Sequence, residues 1–140
     1  MLKNDDNEIK FGRLLFATYV PKTYMKYEPS QRNPTNTWVK ADCNNFQIYT
    51  FYDKYSRIES VNDQPSRIET WCEDNTCVYS VEWTKNYSLH RIGGPAKIFF
   101  DKEMMFCIEG ESYSEKEYWN NPLVIQHKLN RILEEREMSL

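Results

Sequence analysis

The chain is poor in the residues on which most chemistry depends. It holds two histidines and four glycines in 140 residues, and neither histidine stands at a spacing that defines a nucleophile–base pair or a metal site. Long apolar runs are missing: the longest, Leu14 to Val20, is far short of the ~20 residues that span a bilayer, so no membrane association is expected. The opening MLKNDDNEIK has no apolar region of the kind a secretory signal carries. The expected compartment is the cytoplasm, where Cys43, Cys72, Cys77 and Cys107 remain free thiols. Excess charge of one sign is also lacking. A net charge of -3, with both signs spread along the chain, gives no general attraction to phosphate backbones and sets aside nonspecific nucleic-acid binding. The acidic clusters Asp5-Asp6-Glu8 and Glu134-Glu135-Glu137 are short and flanked by Lys or Arg, too thin to imitate DNA by charge.

What is abundant is aromatic. Ten Tyr, seven Phe and four Trp supply large apolar bodies, many with polar tips, which suit half-buried strands better than a helical bundle. The length fits one domain, 1–140, burying roughly two-thirds of its unfolded surface.

A repeat appears when the prolines are used as rulers. Pro34, Pro65 and Pro95 lie 31 and 30 residues apart, and 18 residues beyond each stands an aromatic: Tyr52, Trp83 and Tyr113. Thr37, Ile68 and Ile98 share the third place after proline, and Phe46, Cys77 and Cys107 the twelfth. Such spacing signals stacked supersecondary units, each hiding its apolar face against the next. Within a unit the period is two: Cys77, Tyr79, Val81 and Trp83 alternate with Val78, Ser80 and Glu82, and Phe46, Ile48, Thr50 and Tyr52 do the same one unit earlier. Arg67 to Trp71 and Lys97 to Phe100 read as strands following a proline, with turns at Glu73-Asp74-Asn75 and Asp101-Lys102-Glu103. Gly110 marks a bulge or bend. Glu8 to Val20 reads as one or two further strands, and Pro21 to Asn33 as an irregular connection.

The C-terminal end changes character. Ser114 followed by Glu117 fits a capping box, and Asn120-Asn121-Pro122 ends one helix and starts another. Ile125, Leu129, Ile132 and Leu133 then form a stripe at helical spacing, while Gln126, His127, Asn130 and Glu134 face away. The expected architecture is α+β, mostly β: N-terminal strands and a connection over 1–33, an antiparallel β-meander of three repeats over 34–113, and helices over 114–140, the amphipathic one capping the open face or end of the sheet or else standing as an exposed partner-docking helix.

Candidate chemistry is sparse. Gly93-Gly94-Pro95 leads into a strand and lacks the Lys-Ser/Thr and helix N-terminus of a phosphate loop. Cys72 and Cys77 offer two of the four ligands zinc needs, and no metal or cofactor is expected. Glu109 and Glu111 read as a solvated strand face, and the column Tyr52, Trp83, Tyr113 as a core ladder. His90 and Arg91 sit in a glycine turn where they either bond backbone carbonyls of the neighbouring unit or contact a partner. In the second case alanine at both positions removes contacts and leaves the fold intact.

The stretch from Trp83 through Leu89-His90-Arg91-Ile92-Gly93-Gly94-Pro95-Ala96-Lys97-Ile98 resembles a short repeat found in many bacteriophage and large-virus proteins: tryptophan, a spacer, His-Arg, two residues, Gly-Pro-Ala and a β-branched strand. The first two units keep only Pro34 and Pro65 with their downstream aromatics. Gly110 to Leu133, with Tyr113-Ser114 and Tyr118-Trp119-Asn120-Asn121-Pro122-Leu123-Val124-Ile125, is similar to the closing segment of such proteins. The resemblance covers about half the chain, implies viral origin and a repeat β-fold, and carries over no catalytic residue.

The resulting expectation is a non-enzymatic phage accessory protein in the host cytoplasm. It binds and inhibits a host protein of an antiviral system, in the manner of an anti-CRISPR factor, through Tyr87, His90, Arg91 and Lys97; self-association is compatible with the sequence. Two rivals are a protein that sequesters a nucleotide messenger between Arg91, Lys97 and stacked aromatics, and an enzyme whose site is assembled across repeats.

Overall fold

The computed structural model describes residues 6–30, 32–71 and 76–138. The expected turn at Glu73-Asp74-Asn75, together with Asp5 and Cys72, lies outside the described residues. Along the chain run α1 (Asp6–Tyr19), β1 (Met25–Lys26), β2 (Thr37–Asp42), β3 (Gln47–Tyr52), β4 (Arg67–Trp71), β5 (Cys77–Glu82), β6 (Thr84–Lys85), β7 (Ser88–Leu89), β8 (Lys97–Phe99), β9 (Met104–Ile108), β10 (Glu111–Tyr113), α2 (Glu115–Trp119) and α3 (Pro122–Met138). The fold is α+β and mostly sheet. Eight strands form one sheet in the order β1-β2-β3-β4-β5-β8-β9-β10, antiparallel except for the β1–β2 pair. The short β6–β7 hairpin stands apart, inserted between β5 and β8.

Each ruler proline precedes a strand that opens a hairpin: Pro34 before β2–β3, Pro65 before β4–β5, Pro95 before β8–β9. The aromatic column does not follow suit. Tyr52 ends β3 and Trp83 follows β5, but β8 is only three residues long, so Tyr113 falls one strand later, on β10. Trp83 belongs to the main core, while Tyr113 packs against a second cluster. The three rings form no common ladder.

The segment expected as strands over 8–20 is helical through Tyr19, not extended. Phe11, Leu15 and Tyr19 recur at i, i+4 and i+8, so a helix gathers them on one side with Phe16, whereas a strand would split the apolar run Leu14 to Val20 between two faces. That side packs on the sheet. Leu15 joins Tyr49, Ile68, Val78, Val81, Trp83 and Ile98 in the core, with Phe11, Phe16, Tyr19, Val20 and Trp38 around them. Burying Leu15 alone contributes about 2 kcal/mol.

The strict alternation expected for β5 breaks at Tyr79. Glu69 pairs with Ser80 but Thr70 pairs with Val78, which makes Tyr79 the extra residue of a β-bulge. The bulge brings Val78 and Val81, three apart, to the same core and leaves Tyr79 exposed beside Phe99 and Phe100. Gly110 lies in a two-residue turn with Glu109, both at positive φ, between paired Ile108 and Glu111. Glu109 is therefore at a turn tip, and the two carboxylates do not share a strand face.

At the C-terminal end the capping signals are realised. Ser114 Oγ accepts the Glu117 N–H at 3.1 Å, Asn121 Oδ1 accepts that of Leu123 at 2.9 Å, and Pro122 opens α3. The amphipathic helix does not cover the sheet. Among its described side chains only Val124 is buried; Ile125, Leu129, Ile132 and Leu133 are 43–58 % exposed. Val124 lies roughly 80–180° around the helix from the four stripe residues, so docking α3 through Val124 leaves the stripe turned away from the sheet.

Candidate functional site: the glycine turn and its cleft

The chain leaves β5 at Glu82, passes through Trp83, makes the β6–β7 hairpin and returns to β8 through the turn His90 to Pro95. This insertion is tied on both sides. Ser60 N–H donates to Thr84 O, Thr84 N–H donates to Ser60 Oγ, and the Ser66 and Thr84 hydroxyls meet at 2.7 Å. On the other side Gly110 N–H donates to Leu89 O and Arg91 N–H to Cys107 O. The hairpin therefore rises from a fixed base.

Arg91 is a brace. Its guanidinium forks onto Asp63, Nε to Oδ1 at 3.0 Å and Nη2 to Oδ2 at 3.2 Å, while Nη1 donates to Pro95 O and the group lies 3.9 Å over the Trp83 ring. Trp83 Nε1 donates to Asp63 O, which closes the set. Gly94 is required by this arrangement, since a Cβ there would meet the guanidinium carbon at 2.9 Å. Alanine at Arg91 would strip a bidentate ion pair and a ring contact from a side chain only 16 % exposed. Destabilisation of about 2 kcal/mol is expected, so the His90–Arg91 double alanine variant should melt below the natural chain, and any loss of partner binding in it must be read beside its melting curve.

The turn is also held from α2. Tyr118, fully buried, accepts the N–H groups of Gly93 (2.8 Å) and Gly94 (3.1 Å) through its hydroxyl and donates to Arg91 O (2.7 Å). Gly93 stands at φ +100° with His127 against it, so a side chain there would be strained in backbone and blocked in space.

These contacts shape a cleft of about 380 Å³ whose walls include Lys85, His90, Arg91, His127, Arg131 and Glu59. Both histidines of the chain thus reach one cleft. The sequence placed His127 on the solvated side of its helix, and it is half-buried. His90 Nδ1 accepts the Glu109 N–H at 2.9 Å, which leaves the ring proton on Nε2. Burial, helped by Lys85 and opposed by Glu109, holds its pKa below the ordinary 6.5. A base whose folded pKa is depressed stabilises the fold above its unfolded pKa and loses that contribution as pH falls through the folded value. His90→Asn, which keeps an acceptor for Glu109 and cannot titrate, is expected to lose less thermal stability than the natural chain between about pH 7 and pH 5. Parallel melting curves would refute the assignment.

The other candidate residues separate. Lys97 pairs with Glu82 at 2.9 Å and lies over Phe99, away from the cleft. Tyr87 projects from the hairpin tip, 72 % exposed. Sequence reasoning missed Tyr118 and Asp63, which stand 24 to 28 residues in sequence from the turn residues they bond; the only local signal was the Asn62-Asp63 pair, typical of turns. Cys77 and Cys107 are buried and Cys43 exposed, all free. Among the described residues no cluster of three His, Cys, Asp or Glu could hold a metal ion, and no helix is long and apolar enough to cross a membrane. Comparison of the chain with protein-family models, curated proteins and solved structures finds no match.

Proposed function

We propose that the chain is a phage-encoded accessory protein that acts in the host cytoplasm by occupying a surface of a host protein, as an anti-defence factor of the anti-CRISPR kind, without chemistry of its own. The viral class comes from the His-Arg-x-x-Gly-Pro-Ala resemblance, which also suggests that the three proline-led hairpins descend from one unit.

The observation that carries the binding reading is Tyr87. In the two-residue turn Asn86–Tyr87, between paired Lys85 and Ser88, both residues have positive φ, 50° and 64°. Glycine is the favoured residue at the second position of such a turn, and a bulky side chain there is strained. A tyrosine kept in that conformation, exposed on a braced hairpin, trades stability for a projecting contact. The rival nucleotide trap finds less support: Trp83 is 1 % exposed with Arg91 over its face, and Arg91 is held by Asp63, so neither is free to grip a base.

Tyr87→Gly tests the reading because its two effects have opposite signs. Stability should rise by about 0.5–1 kcal/mol as strain is relieved. Capture of the host partner, identified by affinity pull-down and mass spectrometry, should weaken by at least about tenfold. Undiminished capture removes Tyr87 from the contact. A purified protein that binds nucleotides and no host macromolecule would favour the sequestering alternative.

A further inference from the structure

We propose that α3 is a self-association face, on which a second copy of this chain seats its own α3 antiparallel about a two-fold axis. The exposed residues Ile125, Leu129 and Ile132 follow the 4-3 spacing of a coiled-coil seam. Leu133 widens the seam on one side. A continuous apolar strip on a helix that its own sheet leaves uncovered marks an interaction surface.

The charges beside the strip select the occupant. Lys128 and Glu135 are seven residues apart and flank the same edge of the seam. In an antiparallel pair with Leu129 opposite Ile132 of the second copy, like edges meet. Lys128 then faces Glu135 of the second copy, and Glu135 faces its Lys128. One helix supplies both halves of both ion pairs, the self-complementarity that a two-fold interface requires. A parallel pair has no such match, because Lys128 would then face the opposite edge, occupied by Gln126 and Leu133. The 17-residue helix is about 25 Å long, and its seam is smaller than the ~800 Å² per partner of a standard stable interface. The pair is accordingly weak and concentration-dependent. It uses a face other than the β6–β7 hairpin and stands or falls separately from the host-binding reading.

Sedimentation equilibrium over a concentration series is the test, with thermal melting as the control for folding. The natural chain should move from the single-chain mass to twice that mass. Leu129→Glu, at a site half exposed, should keep its melting temperature at low concentration and weaken association by about a hundredfold. Lys128→Glu and Glu135→Lys should each weaken it by about tenfold, through two like-charge contacts, and the double variant should recover most of the loss. Recovery is the signature of antiparallel pairing, and it holds even if Leu129→Glu disturbs the helix. A single-chain mass at about 1 mM, where a millimolar association is already half formed, overturns the proposal. So does a dimer indifferent to Leu129→Glu, or charge reversals that add instead of cancelling.

Discussion

Replacing Tyr118 by phenylalanine is expected to lower stability by about 3 kcal/mol, a fall of roughly 10 °C in melting temperature for a domain of this size. The ring contacts would survive, since Phe106 lies 4.9 Å and Trp119 5.1 Å from the tyrosine ring and a phenyl group fills the same space. What disappears is one oxygen serving three partners. The N–H groups of Gly93 and Gly94 and the carbonyl of Arg91 would lose their hydrogen bonds in a region where Tyr118 itself is fully buried. An unsatisfied buried polar group costs about 1–3 kcal/mol, far more than the net gain of making the bond. Hydrogen exchange at Gly93 and Gly94 should accelerate alongside the thermal shift. A melting temperature within about 2 °C of the natural chain would mean that water replaces the hydroxyl, and that the turn is held chiefly by Arg91.

The contrast between what could and could not be read from the sequence follows from how far each signal reaches. Ser114, Asn121 and Pro122 announced their helices because a cap acts within one turn of its own residue. The prolines announced hairpins for the same reason, since a fixed φ acts on the adjacent strand. Glu8 to Val20 was misread because a short apolar run suits a buried strand or a helix equally, and only the sheet's need for cover over Tyr49, Ile68 and Val81 decides. Tyr79 defeated the alternation because a bulge is a property of the pair of strands, not of one. The outward stripe on α3 was legible as a stripe, but its direction depends on Val124 and on where the body of the domain lies. At the cleft, His90 and Arg91 were found from their turn, whereas Asp63 and His127 of its walls, and Tyr118 buried behind the turn, come from segments that only folding brings together.

Trp83→Ala is expected to have the largest effect in the molecule, about 4–5 kcal/mol, against a total stability that for such domains is only about 5–15 kcal/mol. Trp83 is 1 % exposed, meets Tyr19 edge-on at 5.4 Å and lies in the core with Leu15, Ile68 and Val81. Truncation leaves a cavity, frees the carbonyl of Asp63 from Nε1 and removes the surface on which Arg91 rests. Trp83→Leu separates these contributions, because it fills part of the space while offering neither an N–H nor a π face; a cost of about 3 kcal/mol is expected. Arg91→Ala should then cost about 1 kcal/mol less in the Trp83→Leu background than in the natural chain, the difference being the cation–π contact at 3.9 Å. Urea unfolding of the four proteins measures both quantities. Equal costs of Arg91→Ala in the two backgrounds would show that Asp63 alone holds the guanidinium, and that the tryptophan of the His-Arg-x-x-Gly-Pro-Ala unit serves the core without bracing its arginine.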